Sequence, residues 1–156
     1  MKGDPEVLST LNELLSHELA AINQYYGHFK MCANWGYPRL AKKKREESME
    51  EMRHADKLIE RILYLDGVPN MQRLSPVRIG EDPVEQHKCD LELERSAVER
   101  LNKAVELFRK KGDNGSRLLA EEMLKDEESA VDWLETQLGM VKDLGVQHYL
   151  AQQVHE

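Results

Sequence analysis

Between Asp66 and Pro83 the chain reads "DGVPNMQRLSPVRIGEDP", a Gly- and Pro-rich segment that cannot continue a helix and is too long for a tight antiparallel turn. The stretches on both sides carry apolar residues at helical spacing, so the segment has to cross over rather than reverse the chain locally. On its N-terminal side two helices are expected. The first opens at Asp4, an N-cap followed by Pro5, and runs through Leu11, Leu14, Ala21 and Tyr25 to the breaker "WGYP" at Trp35–Pro38. The second covers about Leu40 to Leu65. On the C-terminal side a third helix follows Asp82-Pro83 and carries Leu91, Val98, Leu101, Val105 and Phe108 as far as "KKGDNG". A fourth runs from about Ser116 to Asp143 through Met123, Leu134, Leu138 and Val141, and a short fifth segment follows Gly145 in "GVQHYLAQQ". Two short connections around one long one predict an all-α four-helix bundle with a single long crossover between helices two and three, a short C-terminal fifth helix, and one domain over residues 1–156.

Composition narrows the function classes. Asp and Glu number 29 against 22 Lys and Arg, a formal net charge of -7, which disfavours nucleic acid as the main partner and favours cations. The opening "MKGDPEVLST" has no apolar core of signal-peptide length and no later run is long enough to span a bilayer, so neither export nor a membrane partner is expected. Cys32 and Cys89 lack metal-type spacing and read as two reduced thiols, which together with the missing leader predicts a cytoplasmic location.

Each long helix places a carboxylate inside its apolar stripe. Glu18 falls in the series Leu11, Leu14, Glu18, Ala21, Tyr25, and Glu51 with His54 begins a stripe continued by Ala55, Leu58, Ile62 and Leu65. Glu94 lies between Leu91 and Val98, and Glu127 between Met123 and Leu134. Four carboxylates carried into one interior repel one another and resist desolvation unless a cation collects them. Oxygen ligands with one imidazole suit iron, manganese or zinc, and single Glu residues on two helices with Glu-x-x-His on the others are the ligand pattern of di-iron carboxylate bundles. The interval from Glu18 to Glu51 equals that from Glu94 to Glu127, so the chain reads as two equivalent helix pairs building one site. The repeat is broken at one place. Glu51 is followed three residues on by His54, whereas Glu127 is followed by Ala130, and neither Ser129, Val131 nor Asp132 points the same way.

Met52 lies about 100° around the helix from Glu51, on a separate apolar face with Met49, Ile59 and Leu63. A helix with two apolar faces needs two partners. From the residues alone, Met52 reads as an interface filler more readily than as a ligand.

The stretches "MKGDPEVLSTLNELL", "ELAAINQYY", "EESMEEMRHADKLIERIL", "LDGVPN", "IGEDP", "DWLETQLGMV" and "YLAQQ" resemble the bacterioferritins almost end to end. The resemblance implies a ferritin-like bundle assembled as a homo-oligomeric 24-subunit shell that oxidises Fe(II) with O2 or H2O2 and stores ferric mineral. It implies that Glu18, Glu51, His54, Glu94 and Glu127 are the ferroxidase ligands of a di-iron centre, with Glu51 and Glu127 bridging, and that Tyr25 and Trp133 are the aromatics beside it. It further implies haem b shared across a two-fold axis, with Met52 as axial ligand and Leu19, Ile22, Asn23 and Tyr26 lining the pocket. Thioether ligation on both sides favours ferrous haem. Glu46 and Glu50 match positions where the family holds iron at the cavity face, though with other residue types. A ferredoxin-type reductant for iron release is the implied partner.

Ala130 departs from the family pattern and leaves an alternative, a ferroxidase-impaired, haem-carrying or structural subunit of a mixed shell with a second bacterioferritin chain. A non-storage di-iron oxidase, or a manganese or zinc carboxylate bundle, is the third reading. The two-faced second helix and the terminal segment favour a shell.

Overall fold

The computed structural model describes residues 1–156 and contains only helices and their connections. In chain order these are α1 Pro5–Trp35, α2 Pro38–Tyr64, α3 Pro83–Lys110, α4 Asn114–Leu144 and α5 Val146–Ala151, which a 3-10 turn extends over Gln152–Val154. α1 packs along α2 and α3 along α4, and the crossover joins the two pairs, so the expected bundle is the observed one.

The helix ends follow from local chemistry. Asp4 accepts hydrogen bonds from the Glu6 and Val7 N–H groups, Asp82 from Glu85 and Asp113 from Ser116, and each such cap stabilises its helix by about 1 kcal/mol. The expected breaker "WGYP" divides differently from its reading in sequence. Gly36 ends α1 with a left-handed φ of 86°, while Pro38 opens α2, because its fixed φ suits the first turn, where the N–H it lacks would have no intrahelical acceptor.

The crossover runs beside α1 in the same direction. The Ser75 N–H donates to the Ser16 carbonyl at 3.1 Å, the Arg78 N–H to Gln24 Oε1 at 3.0 Å and the Gly80 N–H to His28 Nε2 at 3.0 Å. At Gly80 a Cβ would approach the Gln86 backbone nitrogen to 2.4 Å, so only glycine lets the segment turn this closely into α3.

Inward stripes recur at heptad-like spacing on all four helices, and they stack in layers along the bundle. At one end, Val7, Leu11, Leu15, Leu58, Ile62, Leu101, Phe108 and Met123 belong to the main apolar core. Full burial of such a side chain contributes about 1.5–3 kcal/mol. At the opposite end Cys32, Leu40 and Ala41 form a smaller cluster with Phe29, Trp35, Trp133 and Leu150 against it. Between the two lie the carboxylates and a second polar layer around Lys44 and Asp90. Both cysteines are free thiols, and no helix is long and apolar enough to cross a membrane.

Candidate metal centre

Glu18 from α1, Glu51 and His54 from α2 and Glu127 from α4 converge midway along the bundle, each almost completely buried. One ligand atom from each lies within 4.8 Å of all the others. His54 Nδ1 is 3.1 Å from Glu127 Oε1 and 3.6 Å from both Glu18 Oε2 and Glu51 Oε1. Glu94 of α3, wholly buried, stands just outside that set, and its Oε1 accepts a hydrogen bond from the Tyr25 hydroxyl at 2.9 Å.

These groups disturb one another strongly. Burial pushes the Glu51, Glu94 and Glu127 carboxyls above the usual range, and the neighbouring carboxylates add to the rise. Burial would raise Glu18 as well, but the His54 imidazole and the Glu51 carboxyl beside it hold it low. Burial would depress His54, yet Glu127 and Glu18 outweigh it and lift the imidazole to about 11. Without a metal the cluster therefore holds protons that a divalent cation would displace. Both oxygens of Glu51 and one each of Glu18, Glu94 and Glu127 have no hydrogen-bond partner although buried. A buried, proton-sharing set of carboxylates and one imidazole fits first-row metals such as iron.

The far side of the imidazole carries a residue that sequence reading missed. His54 Nε2 is 2.9 Å from Asp126 Oδ2 and 3.6 Å from Glu50 Oε1. A carboxylate there would fix which ring nitrogen is turned toward a metal held by the cluster and would raise its basicity. Asp126 was hidden because it lies next to Glu127 in an acidic run that reads as a solvated face. Glu50 joins this second group and also pairs with Arg53. Glu46 is exposed and lies outside it, though it lines the same cavity.

That cavity, about 230 Å³, is bordered by Ala130, Ser129, Glu46, Glu47, Glu50, Arg53, Lys43 and Asp126. Ala130 is buried, whereas Ser129 and Asp132 are exposed, so α4 offers no substitute for the missing histidine. Trp133 is edge-on to His87 with ring centroids 5.5 Å apart and with the Lys43 and Lys44 ammonium groups over its face.

Met52 is 51% exposed, against 1% exposure for Glu51 beside it, as their angular separation requires. Tyr26, Asn23 and Leu63 are exposed as well, while Leu19, Ile22 and Ile59 pack partly against the core. Ile59 lies at the edge of the face around Met52, half-buried and packed partly against the core in the same way as Leu19 and Ile22.

Next to the acid layer lies a buried polar network that the sequence reading passed over. Lys44 Nζ donates to Asp90 Oδ2 and to His87 Nδ1, the latter at 3.0 Å. His87 Nε2 then faces the Tyr149 hydroxyl at 2.9 Å, which donates to Gln137 Oε1 at 2.6 Å and so ties α5 to the bundle. His28 receives the Gly80 N–H on Nε2, so Nδ1 carries the proton that faces Asp90 Oδ1 at 2.9 Å. Burial would raise Asp90, but Lys44 and His28 hold it at about 2, while burial and Lys44 press His87 down to about 2. The signal was present in sequence. The stripe of α2 extends backward from Glu51 through Ser48 and Lys44 to Ala41, and that of α1 forward from Tyr25 to His28 and Cys32.

The fold has known counterparts. The Ferritin-like domain family matches residues 8–144. A bacterioferritin of Mycolicibacterium paratuberculosis is 51% identical over 97% of this chain and 96% of its own length. The bacterioferritins of Brucella melitensis and Streptomyces coelicolor are each 48% identical, covering 96% and 97% of this chain and 92% and 90% of their own. With half its residues shared along nearly the whole length, and with the bundle, the crossover and the carboxylate–histidine cluster in place, the chain belongs to the bacterioferritin family.

Proposed function

We propose that this chain is an iron-storage subunit that takes Fe(II) as substrate at the intra-bundle cluster, oxidises it, and passes Fe(III) into the cavity of a 24-subunit shell built from copies of one ferritin-like unit over residues 1–156. The observation that carries this reading is the convergence of Glu18, Glu51, His54 and Glu127, buried and with several carboxylate oxygens lacking partners. Glu18 and His54 hold one ferrous ion and Glu94 the other, with Glu51 and Glu127 shared between them. Each ion gives up one electron, so a pair reduces O2 to H2O2, or H2O2 to water. The protons that Glu51, Glu94, Glu127 and His54 carry without metal leave as iron enters. Tyr25, hydrogen-bonded to Glu94, orients that carboxylate. Glu46 and Glu50, beside the Ala130 cavity, receive iron on its way inward.

Ala130 makes the second iron weakly held. It removes one nitrogen ligand and leaves an open cavity in its place, so that ion turns over by release instead of staying as a fixed cofactor. The same residue favours a second reading, a structural or haem-carrying subunit of a mixed shell whose catalysis lies with another chain.

The exposed face of α1 and α2 around Met52 would hold haem. Met52 offers a soft thioether ligand, with Tyr26 and Asn23 exposed and Leu19 and Ile22 half-buried around it, and a second copy across a two-fold axis would supply the opposite Met52. When bound there, haem supplies a one-electron relay for reductive iron release, fed by a ferredoxin-type reductant.

The test is aerobic loading of the metal-free protein with Fe(II), followed by sedimentation and gel filtration. Storage predicts ferric iron co-migrating with a particle of about 24 chains. Small species that carry no iron contradict it.

A further inference from the structure

Where the crossover passes over the groove between α1 and α3, it closes a pocket of about 280 Å³ distinct from the metal centre. Its polar wall is His17 from α1, Ser75 and Arg78 from the crossover, and Ser96 and Arg100 from α3. We infer that this pocket binds a tetrahedral oxyanion of the phosphate class.

Two independent observations carry the assignment. His17 is only 4% exposed, and neither of its ring nitrogens makes a well-formed hydrogen bond, the Leu93 backbone being the one polar group of the protein near enough to act on it besides the charges of Glu18 and Arg100. A buried imidazole left in that state costs about 1–3 kcal/mol, which an occupant able to accept its N–H would remove. Arg100 is the second. Its guanidinium reaches only neutral hydroxyls, Ser96 Oγ at 3.3 Å and Ser75 Oγ at 3.5 Å, and pairs with no carboxylate. A planar fork of donors beside two hydroxyls and an imidazole is a match for several oxygens of one anion.

The charge balance agrees. Glu92 is the one acid on the wall, and Arg78 already pairs with it, so Arg100 leaves the pocket with an excess of positive charge on a chain that is negative overall. Cys89 also lines the wall, but a cation there would meet two guanidinium groups, and His17, Cys89 and Glu92 do not converge as a ligand set. The crossover supplies Ser75 and is pinned there by its N–H to the Ser16 carbonyl, so the hydroxyl is held in position by the same segment that roofs the pocket. A doubly charged phosphate offers three unprotonated oxygens, one for the His17 N–H and the others for Arg100 and the serine hydroxyls.

Binding is measured on the metal-free full-length protein with inorganic phosphate, by calorimetry and by phosphorus NMR line width. The expected result is saturable binding of one phosphate per subunit, displaced by sulfate and not by equal chloride. Arg100→Gln weakens it by about tenfold or more, the effect of losing a charged hydrogen bond. His17→Phe, which keeps the bulk and removes both nitrogens, weakens it several-fold, whereas Lys103→Gln nearby leaves it unchanged. Arg100 is only half-buried, so its variant keeps the test valid should His17→Phe fail to fold. Glycerol phosphate titrated alongside tells a phosphoryl group on a larger molecule from the free ion, and binding of either supports the site. Absence of saturable binding, equal displacement by chloride, or an equal loss in Lys103→Gln would overturn it as diffuse charge attraction.

Discussion

Asp126 Oδ2 stands 2.9 Å from His54 Nε2, while Glu127, the next residue on the same helix, meets the other nitrogen of the same ring at 3.1 Å. One turn of α4 thus grips the imidazole from both sides, presenting Nδ1 to the buried carboxylates and Nε2 to a partly exposed acid. Asp126 lies on the far side of the ring from the buried carboxylates and would act on a bound ion through His54. Asp126→Ala is therefore expected to weaken binding of the iron that His54 holds by about 10- to 100-fold while leaving the bundle folded. Anaerobic ferrous titration gives the affinity and circular dichroism the fold, and an unchanged affinity would remove Asp126 from the account.

The Lys44–Asp90 pair, both side chains wholly buried, joins α2 to α3. Removing one partner strands the other charge in the interior, so Asp90→Asn is expected to destabilise the subunit by about 3–5 kcal/mol in chemical denaturation. Replacing both with apolar residues of similar volume, as in Lys44→Met with Asp90→Leu, should restore much of that loss. If the double variant is no better than the single one, the cost lies in the hydrogen bonds of Asp90 with Gln24 and His28 and not in the stranded charge.

His87 makes the fold sensitive to mild acid. Burial lowers its pKa from the ordinary 6.5 to about 2, so as pH falls the unfolded chain takes up this proton first. Its stability contribution is complete above pH 6.5 and declines as pH drops toward 2. At pH 5 the loss is about 2 kcal/mol per subunit. His87→Gln should flatten the dependence of melting temperature on pH between 7.5 and 5. An equally steep dependence in the variant would assign the acid sensitivity to other groups.

How far the sequence carried can be seen at particular residues. Asp4 and Asp82 announce their helices because capping is local chemistry, whereas Asp113 reads as part of the breaker "KKGDNG" and caps a helix that starts two residues before the expected Ser116; the crossover is announced by its glycines and prolines. Glu18, Glu51, His54 and Glu127 were legible because a charged residue in an apolar stripe costs free energy that only a partner offsets. Lys44, Asp90, His28 and His87 sit in the same stripes but were passed over, since a buried pair needs its partner on another helix to make sense, and register between helices is a tertiary property. Asp126 was illegible for the opposite reason, being partly exposed in an acidic run. The exposure of Met52 beside buried Glu51 was legible because adjacent residues lie about 100° apart around a helix.

The central claim is that the buried carboxylate cluster oxidises iron despite Ala130, and oxygen consumption on adding Fe(II) to the metal-free protein tests it most directly. The unaltered chain should consume oxygen far faster than buffer and retain fewer than two irons per subunit at the cluster afterwards, measured before any mineral forms. Ala130→His should raise that retained number to two, and Glu127→Ala should abolish the fast phase. A rate no faster than buffer, or one untouched by Glu127→Ala, would contradict the account and leave the structural-subunit reading in its place.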